Sequence, residues 1–118
     1  MPRSDHKEIT LPKYLVQGSY TAEGLRGLKK DTAAGRRAAV QAAAKAMGGK
    51  LDALYFSLGS DDVVVILDLP DNAAAAALAV AVGSSGLIRI RTTPLFTVDE
   101  ADKALSMETK YRSPGESK

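Results

Sequence analysis

The sequence predicts an α+β domain in which two helices cover one face of a four-stranded antiparallel sheet. Three observations predict this fold class. Strand-like and helix-like segments alternate along the chain, a short glycine-containing turn joins the two middle strand segments, and a capped helical segment follows the last strand. With 118 residues, of which 45% are hydrophobic, the chain has the size of one domain with a core of its own.

The first predicted strand spans Lys13–Tyr20, in which aromatic and branched residues partly alternate with polar ones. Thr21 is expected to cap a long helical region over residues 22–47. We expect an interruption near residues 31–35, where β-branched, capping and glycine residues cluster. The pair Gly48–Gly49 ends the helix in the expected way.

The second and third strands are predicted over residues 50–58 and 62–69, joined by a short turn that begins at Gly59. In the second strand, simple alternation places Leu51 on the same face as Ala53 and Tyr55.

The second half of the predicted domain ends with a helix, a strand and a second helix. An alanine-rich helix over residues 73–82 follows a cap at Asp71 or Asn72, and a fourth strand covers residues 87–95. Thr97 and Glu100 form a capping box that opens a short helix ending at about residue 106.

The complete order is β-α-β-β-α-β followed by a short C-terminal helix, which is the ferredoxin-like arrangement. We expect a disordered N-terminal segment over residues 1–11, the folded domain over residues 12–107 and a flexible tail over residues 108–118.

The third strand is apolar at five successive positions from Val63 to Leu67. An antiparallel strand with one solvated face normally alternates, so this run predicts that both faces of the strand are buried. The two long helices can cover only one of them. A second copy of the same sheet is the simplest cover for the other face, and the last helix or the tail is the alternative.

The charge pattern excludes several function classes. Sixteen basic and fourteen acidic residues give a net charge of +2 and are scattered along the chain, so we expect no nucleic-acid partner. No segment is long and apolar enough for a membrane span, and no apolar signal core is present, so a cytoplasmic protein without a membrane partner is expected. The chain has no cysteine and one histidine, His6, which excludes thiolate metal sites and histidine-based catalytic triads in the folded body.

Several segments, taken in order, resemble the GYD-domain family, which belongs to the dimeric α/β-barrel superfamily. The resemblance covers about residues 13–105. It rests on residues 13–21, 35–37, 48–51, 55–56, 68–72 and 91–95. The family takes its name from a Gly-Tyr-Asp pattern at the hairpin. In this chain Gly59 and Asp62 match that pattern, whereas Asp61 stands where the tyrosine would be.

The resemblance implies a homodimer whose sheets pack face to face as a dimeric α/β barrel. Separately, the outward-facing alanines of the helix over residues 73–82 indicate a further contact between dimers, as in a higher oligomer. It implies no agreed catalytic activity. Relatives in the wider superfamily include cofactor-independent monooxygenases, a lactone isomerase and haem enzymes that need an iron-binding histidine. Because the folded body has no histidine, we expect no haem and no other cofactor.

Five residues are candidates for a pocket that binds a small organic acid: Ser19, Arg37, Tyr55, Asp62 and Arg91. Each also has a purely structural explanation, such as hydrogen bonding within the sheet for Ser19, a solvated helix face for Arg37, a turn residue for Asp62 or protection of an edge strand for Arg91. Arg37 is preferred to Arg36 because it lies three residues before Val40, on the flank of the predicted buried stripe.

Three functions remain open at this stage. The first is a homodimer that binds a small acidic or aromatic ligand between its sheets. The second is a cofactor-independent enzyme of the monooxygenase or isomerase type, using Tyr55 and Asp62 with an arginine. The third is an assembly module without a ligand. A fold alone does not choose among them.

Overall fold

The computed structural model describes residues 10–116 and confirms the predicted ferredoxin-like α+β fold. The elements are β1 (Lys13–Tyr20), α1 (Ala22–Ala46), β2 (Lys50–Phe56), β3 (Val63–Asp68), α2 (Asn72–Gly83), β4 (Ile88–Leu95) and α3 (Val98–Ser106). The expectation of disorder before the first strand falls mostly on residues 1–9, which lie outside the described residues, as do residues 117 and 118.

The sheet has the strand order β2-β3-β1-β4, and all three strand pairs are antiparallel. The strands β3 and β1 are therefore central, and β2 and β4 form the edges. The apolar run of β3 therefore lies at the centre of the sheet, where Val63, Val65 and Leu67 are buried and Val64 and Ile66, on the other face, are half-buried.

The core lies between the sheet and the helices α1 and α2. Tyr14 and Leu69 are its largest fully buried side chains, and β3 contributes Val63, Val65 and Leu67. The Tyr14 hydroxyl donates to the Asn72 side-chain oxygen at 2.7 Å, so this phenol keeps a hydrogen bond although only 2% of the residue is exposed. The helices contribute Ala44 and Ala75, whose small side chains let the backbone lie close to the sheet.

The interruption predicted in α1 is present at Thr32, whose φ of 71° and ψ of 162° are not helical. A β-branched residue rarely adopts a positive φ, so Thr32 is strained. Its hydroxyl oxygen accepts a hydrogen bond from the Gly35 backbone N–H at 3.1 Å, as a helix N-cap does. Thus α1 is two helical segments, and Thr32 caps the second.

The prediction for Leu51 was wrong. The pairing of β2 with β3 shifts between Leu51 and Ala53, so Asp52 forms an irregularity in the strand. As a result Leu51 packs against the core together with Leu54, and Ala53 and Tyr55 stay on the opposite face. A one-residue insertion of this kind reverses the alternation on one side of it, and no local residue pattern marks its position.

The glycine at position 24 is required by a close approach. A Cβ atom at Gly24 would overlap the Leu87 carbonyl oxygen, to which the Thr21 N–H donates at 2.9 Å. Only a residue without a side chain lets the start of α1 pack against the segment that leads into β4.

The last helix, α3, begins with the predicted capping box: Thr97 accepts from the Glu100 N–H, and the Glu100 carboxylate accepts from the Thr97 N–H. No residue of α3 is buried; Val98 is 79% exposed and Leu105 is 83% exposed. Within the part of the chain that the structure describes, α3 therefore does not cover the sheet. None of the helices in that part is long and apolar enough to cross a membrane.

Candidate ligand-binding face

The side of the sheet opposite α1 and α2 is called the open face. It carries alternate residues of each strand, which are Lys50, Ala53 and Tyr55 of β2, Val64, Ile66 and Asp68 of β3, Lys13, Leu15, Gln17 and Ser19 of β1, and Arg89, Arg91, Thr93 and Leu95 of β4. Asp52, at the irregularity in β2, also reaches this side through its contact with Lys13.

The middle of the open face is apolar. The registers of the strands place Leu15 beside Ile66 and Ile66 beside Ala53, while Val64 lies beside Tyr55. We call these five residues the apolar band. Leu15, Val64, Ile66 and Ala53 are half-buried by their neighbours alone, and Tyr55 is 70% exposed.

One end of the open face is closed by ion pairs around Asp68. The Asp68 carboxylate lies 2.8 Å from the Lys13 Nζ and 3.8 Å from the Lys50 Nζ, and Lys13 also reaches Asp52 at 3.1 Å. Hydrogen bonds to these two carboxylates raise the pKa of Lys13 above its usual value. The positive and negative charges of this end balance, and Asp68 is buried.

The other end of the open face carries an ion pair that spans three strands. The Asp61 carboxylate in the β2–β3 turn accepts from Arg91 Nη2 of β4 at 2.7 Å, and the Gln17 side-chain amide of β1 approaches it at 3.5 Å. One oxygen, Asp61 Oδ2, serves both donors. Because a guanidinium has five N–H donors, Arg91 keeps donors for a further partner, and its side chain is 66% exposed.

Two of the predicted site residues lie at this end, Ser19 and Arg91. The Ser19 hydroxyl donates to the Ser60 carbonyl oxygen at 3.2 Å, and Ser19 pairs with Arg89 across the β1–β4 register. A groove of about 570 Å³ runs along β4 and is lined by Gln17, Ser19, Asp61, Ala79, Gly83, Ile88, Arg89, Ile90 and Arg91. The α2 residues in this lining show that the groove extends around the edge of the sheet.

A third predicted site residue, Asp62, is engaged by the backbone. Its carboxylate accepts from the Tyr20 N–H at 2.8 Å, which ties the start of β3 to the end of β1. Tyr55 lies on the open face, but no hydrogen bond joins it to Asp62 within residues 10–116. The structure therefore does not bring Tyr55 and Asp62 together as a proton-transfer pair.

The fifth predicted residue, Arg37, lies on α1, on the other side of the sheet, and is exposed. Its neighbour Arg36 turns inward and pairs with Asp31 at 3.3 Å. The Arg36 guanidinium also lies near the Tyr20 phenol. Burial raises the pKa of Tyr20, and the positive charge of Arg36 partly opposes that rise.

Sequence reasoning missed the role of Asp61, which binds both Arg91 and Gln17. Asp61 was noted only as the position where the family pattern has tyrosine. Asp61 meets Arg91 and Gln17 because of the strand registers: Gln17 lies opposite Arg91, and the turn that holds Asp61 ends beside β1. The position of that turn above β1 depends on tertiary pairing, which local sequence does not encode.

The chemistry that this end can perform is the binding of a small anion. Arg89 and Arg91 extend from the same face of β4, two residues apart, and Ser19 and Gln17 add polar groups on β1. Asp61 offsets one of the two positive charges. Within residues 10–116, no group of three His, Asp or Glu side chains is placed to hold a metal ion.

Comparison with known families gives one result. The family model described as the GYD domain matches residues 14–105, which include the six elements of the ferredoxin-like fold apart from Lys13, and α3 apart from Ser106. A search of the curated proteins found no match, and a search of the solved structures found none.

Proposed function

The chain belongs to the GYD-domain family, and we propose that it functions as a homodimer that binds a small organic acid between its two sheets. One observation carries this proposal: the open face combines an uncovered apolar band with two arginines at one end. The band gives the partner sheet a surface to bury, and the arginines give an acidic ligand its counter-charge.

The apolar band supports pairing with a second copy. Val64 and Ile66 stand on the most apolar strand of the chain, and neither α1, α2 nor α3 covers them. In a two-fold dimer each band meets its own copy, so a self-complementary apolar centre with a charged rim is what such an interface requires. The rim is nearly neutral, because Lys13 and Lys50 face Asp52 and Asp68.

The segment around α3 adds apolar surface to the proposed interface. Phe96 is 70% exposed, and Val98, Leu105 and Met107 are at least 64% exposed. Contiguous exposed apolar residues of this kind mark interaction sites on a folded chain. In the proposed dimer this segment extends beyond β4 and packs on the partner subunit.

The arginine end supports the choice of an acid as ligand. Asp61 already orients the Arg91 guanidinium, whose remaining N–H donors suit a carboxylate as ligand. Guanidinium groups bind the planar carboxylate in a bidentate manner. The adjacent apolar band favours an aromatic or aliphatic body on the acid. The proposal names binding and no reaction, because among the described residues no hydrogen bond joins Tyr55 to Asp62 and the Asp62 carboxylate is engaged by the Tyr20 N–H.

Calorimetric titration with benzoate tests the proposal. We expect wild-type protein to bind benzoate, Arg91→Gln to bind it about ten-fold more weakly, and Ile66→Glu to lose binding because the site needs both sheets. Val80→Glu adds the same charge to an exposed position of α2 and serves as the matched control that keeps binding. Equal affinity in wild type and Arg91→Gln, or no binding to wild type, contradicts the ligand part of the proposal.

A further inference from the structure

A second space for a ligand lies inside each protomer, between the sheet and the helices α1 and α2. Its volume is about 140 Å³. The cavity is partly open to solvent, and it enters a region that natural proteins normally fill with side chains. It lies on the helix-covered side of the sheet and is therefore separate from the open face.

The walls of this cavity are almost entirely apolar. The sheet contributes branched and aromatic side chains such as Val65 and Ile90, and Phe56 stands at the β2 edge. The helices contribute alanines, among them Ala43 and Ala79, at positions where larger side chains would fill the space. An enclosed apolar cavity of ~150 Å³ binds benzene, so the present volume is large enough for the apolar part of a small ligand.

Three polar residues line the cavity, and one of them is charged. That residue is Arg36, whose side chain is 38% exposed, so the guanidinium reaches both the cavity and solvent. The other two are Tyr20 and Thr92. The Arg36 guanidinium donates to the Asp31 carboxylate at 3.3 Å through one nitrogen, which leaves most of its five N–H donors available. The Tyr20 hydroxyl lies close to the same guanidinium.

The strained residue Thr32 fixes this arrangement. Asp31 precedes it, and Arg36 lies in the first turn and a half of the helical segment that Thr32 caps. The Asp31–Arg36 ion pair therefore spans the kink of α1. A straight helix would rotate Arg36 relative to Asp31, because successive helical residues are separated by about 100°.

We propose that this cavity binds a small monocarboxylic acid with an apolar body of about six carbons, with the body among the alanines of α1 and α2 and the carboxylate on Arg36 and Tyr20. The apolar lining selects the body, and the single guanidinium selects one negative charge. A phosphate has no apolar group to fill the walls, and the second carboxylate of a dicarboxylate would lose its hydration without gaining a second counter-charge.

Titration of the full chain with hexanoate, and with hexan-1-ol as the neutral counterpart, tests this site. Backbone amide shifts in the NMR spectrum report where each compound binds. We expect hexanoate to shift the amide signals of residues around Ala43 and Ala79. Arg36→Gln is expected to weaken the binding of hexanoate about ten-fold and to leave the affinity for hexan-1-ol unchanged. Ala43→Leu fills the space and is expected to abolish binding of both compounds while raising the thermal midpoint.

Two controls separate this site from the one between the sheets. Arg91→Gln and Ile66→Glu alter the open face and are expected to leave hexanoate binding in the cavity unchanged. Circular dichroism establishes that each variant is folded. The proposal is overturned if wild type shows no shifts around the cavity at millimolar hexanoate, or if Arg36→Gln binds hexanoate as tightly as wild type does.

Discussion

Arg91 of β4 and Asp61 of the β2–β3 turn form a 2.7 Å ion pair that reaches across β1. The pair joins an edge strand to a turn on the opposite half of the sheet, and it leaves the outer donors of Arg91 in solvent. The Asp61 carboxylate therefore carries a negative charge that competes with an acidic ligand for the Arg91 guanidinium.

Asp61→Asn is expected to strengthen benzoate binding, because it removes the carboxylate that occupies Arg91. The same change lowers the free energy of unfolding by less than about 1 kcal/mol, since the arginine is mostly exposed. Calorimetry and urea denaturation measure the two effects. Asp99→Asn, on exposed α3, removes the same charge elsewhere and is the control. An unchanged affinity in Asp61→Asn would show that Arg91 does not contact the ligand.

The close packing of Gly24 against the Leu87 carbonyl is tested by comparing alanine substitutions at Gly24 and at Gly27, a second glycine of the same helix. Gly24→Ala is expected to destabilise the chain by about 2 kcal/mol or more, because the new Cβ overlaps the Leu87 carbonyl. Gly27 has open space around it, so Gly27→Ala is expected to stabilise the helix by about 0.5–1 kcal/mol. Urea denaturation compares them, and a similar effect of both substitutions contradicts the packing of α1 on the segment before β4.

The strain at Thr32 predicts that substitution by glycine costs less stability there than at an unstrained helix cap. Thr21 and Thr32 both cap helical segments, but Thr21 has a φ of −74° whereas Thr32 has a φ of 71°. Thr21→Gly is expected to lower the free energy of unfolding. Thr32→Gly relieves the positive φ and is expected to leave the protein more stable than Thr21→Gly by about 1–2 kcal/mol. Equal losses in the two variants would mean that α1 has no kink at Thr32.

The cluster around Asp68 predicts a pH dependence. Because the pKa of Lys13 is raised in the folded state, its contribution to stability is complete below its unfolded value of 10.5 and is lost as the pH rises through the folded pKa. Tyr20 is half-buried, and its raised pKa lowers stability in the same direction as the pH rises above its unfolded value of 10.0. The free energy of unfolding is therefore expected to fall above pH 10. In the Lys13→Met variant this free energy is expected to fall less steeply with pH than in wild type. Urea denaturation at several pH values from neutral to alkaline measures both slopes, and parallel slopes contradict the Lys13 contacts.

The elements of the fold were predictable because local signals mark their ends. Thr21, Asp71 and Thr97 each accept a backbone hydrogen bond at a helix start, as their residue types predict. The side of Leu51 was not predictable, because the irregularity at Asp52 is set by pairing with β3. Helix caps depend on residues that are neighbours in the sequence, whereas the register between two strands depends on residues that are far apart in it.

The site was predictable in part for the same reason. Ser19 and Arg91 reach one end of the open face through simple alternation along β1 and β4. The choice between Arg36 and Arg37 was not accessible, since both lie one helical turn from Val40. The inward direction of the Arg36 side chain follows from the kink at Thr32. The backbone of Thr32 has a positive φ, which threonine seldom adopts, so the residue type does not predict the kink geometry.

The mass of the protein in solution tests the central claim most directly. Sedimentation at micromolar concentration is expected to show wild type and Val80→Glu at twice the 12.4 kDa chain mass, and Ile66→Glu at 12.4 kDa, because only the last variant places a charge in the apolar band. A wild-type protein that sediments at 12.4 kDa, or an Ile66→Glu variant that remains dimeric, would contradict pairing through the open face.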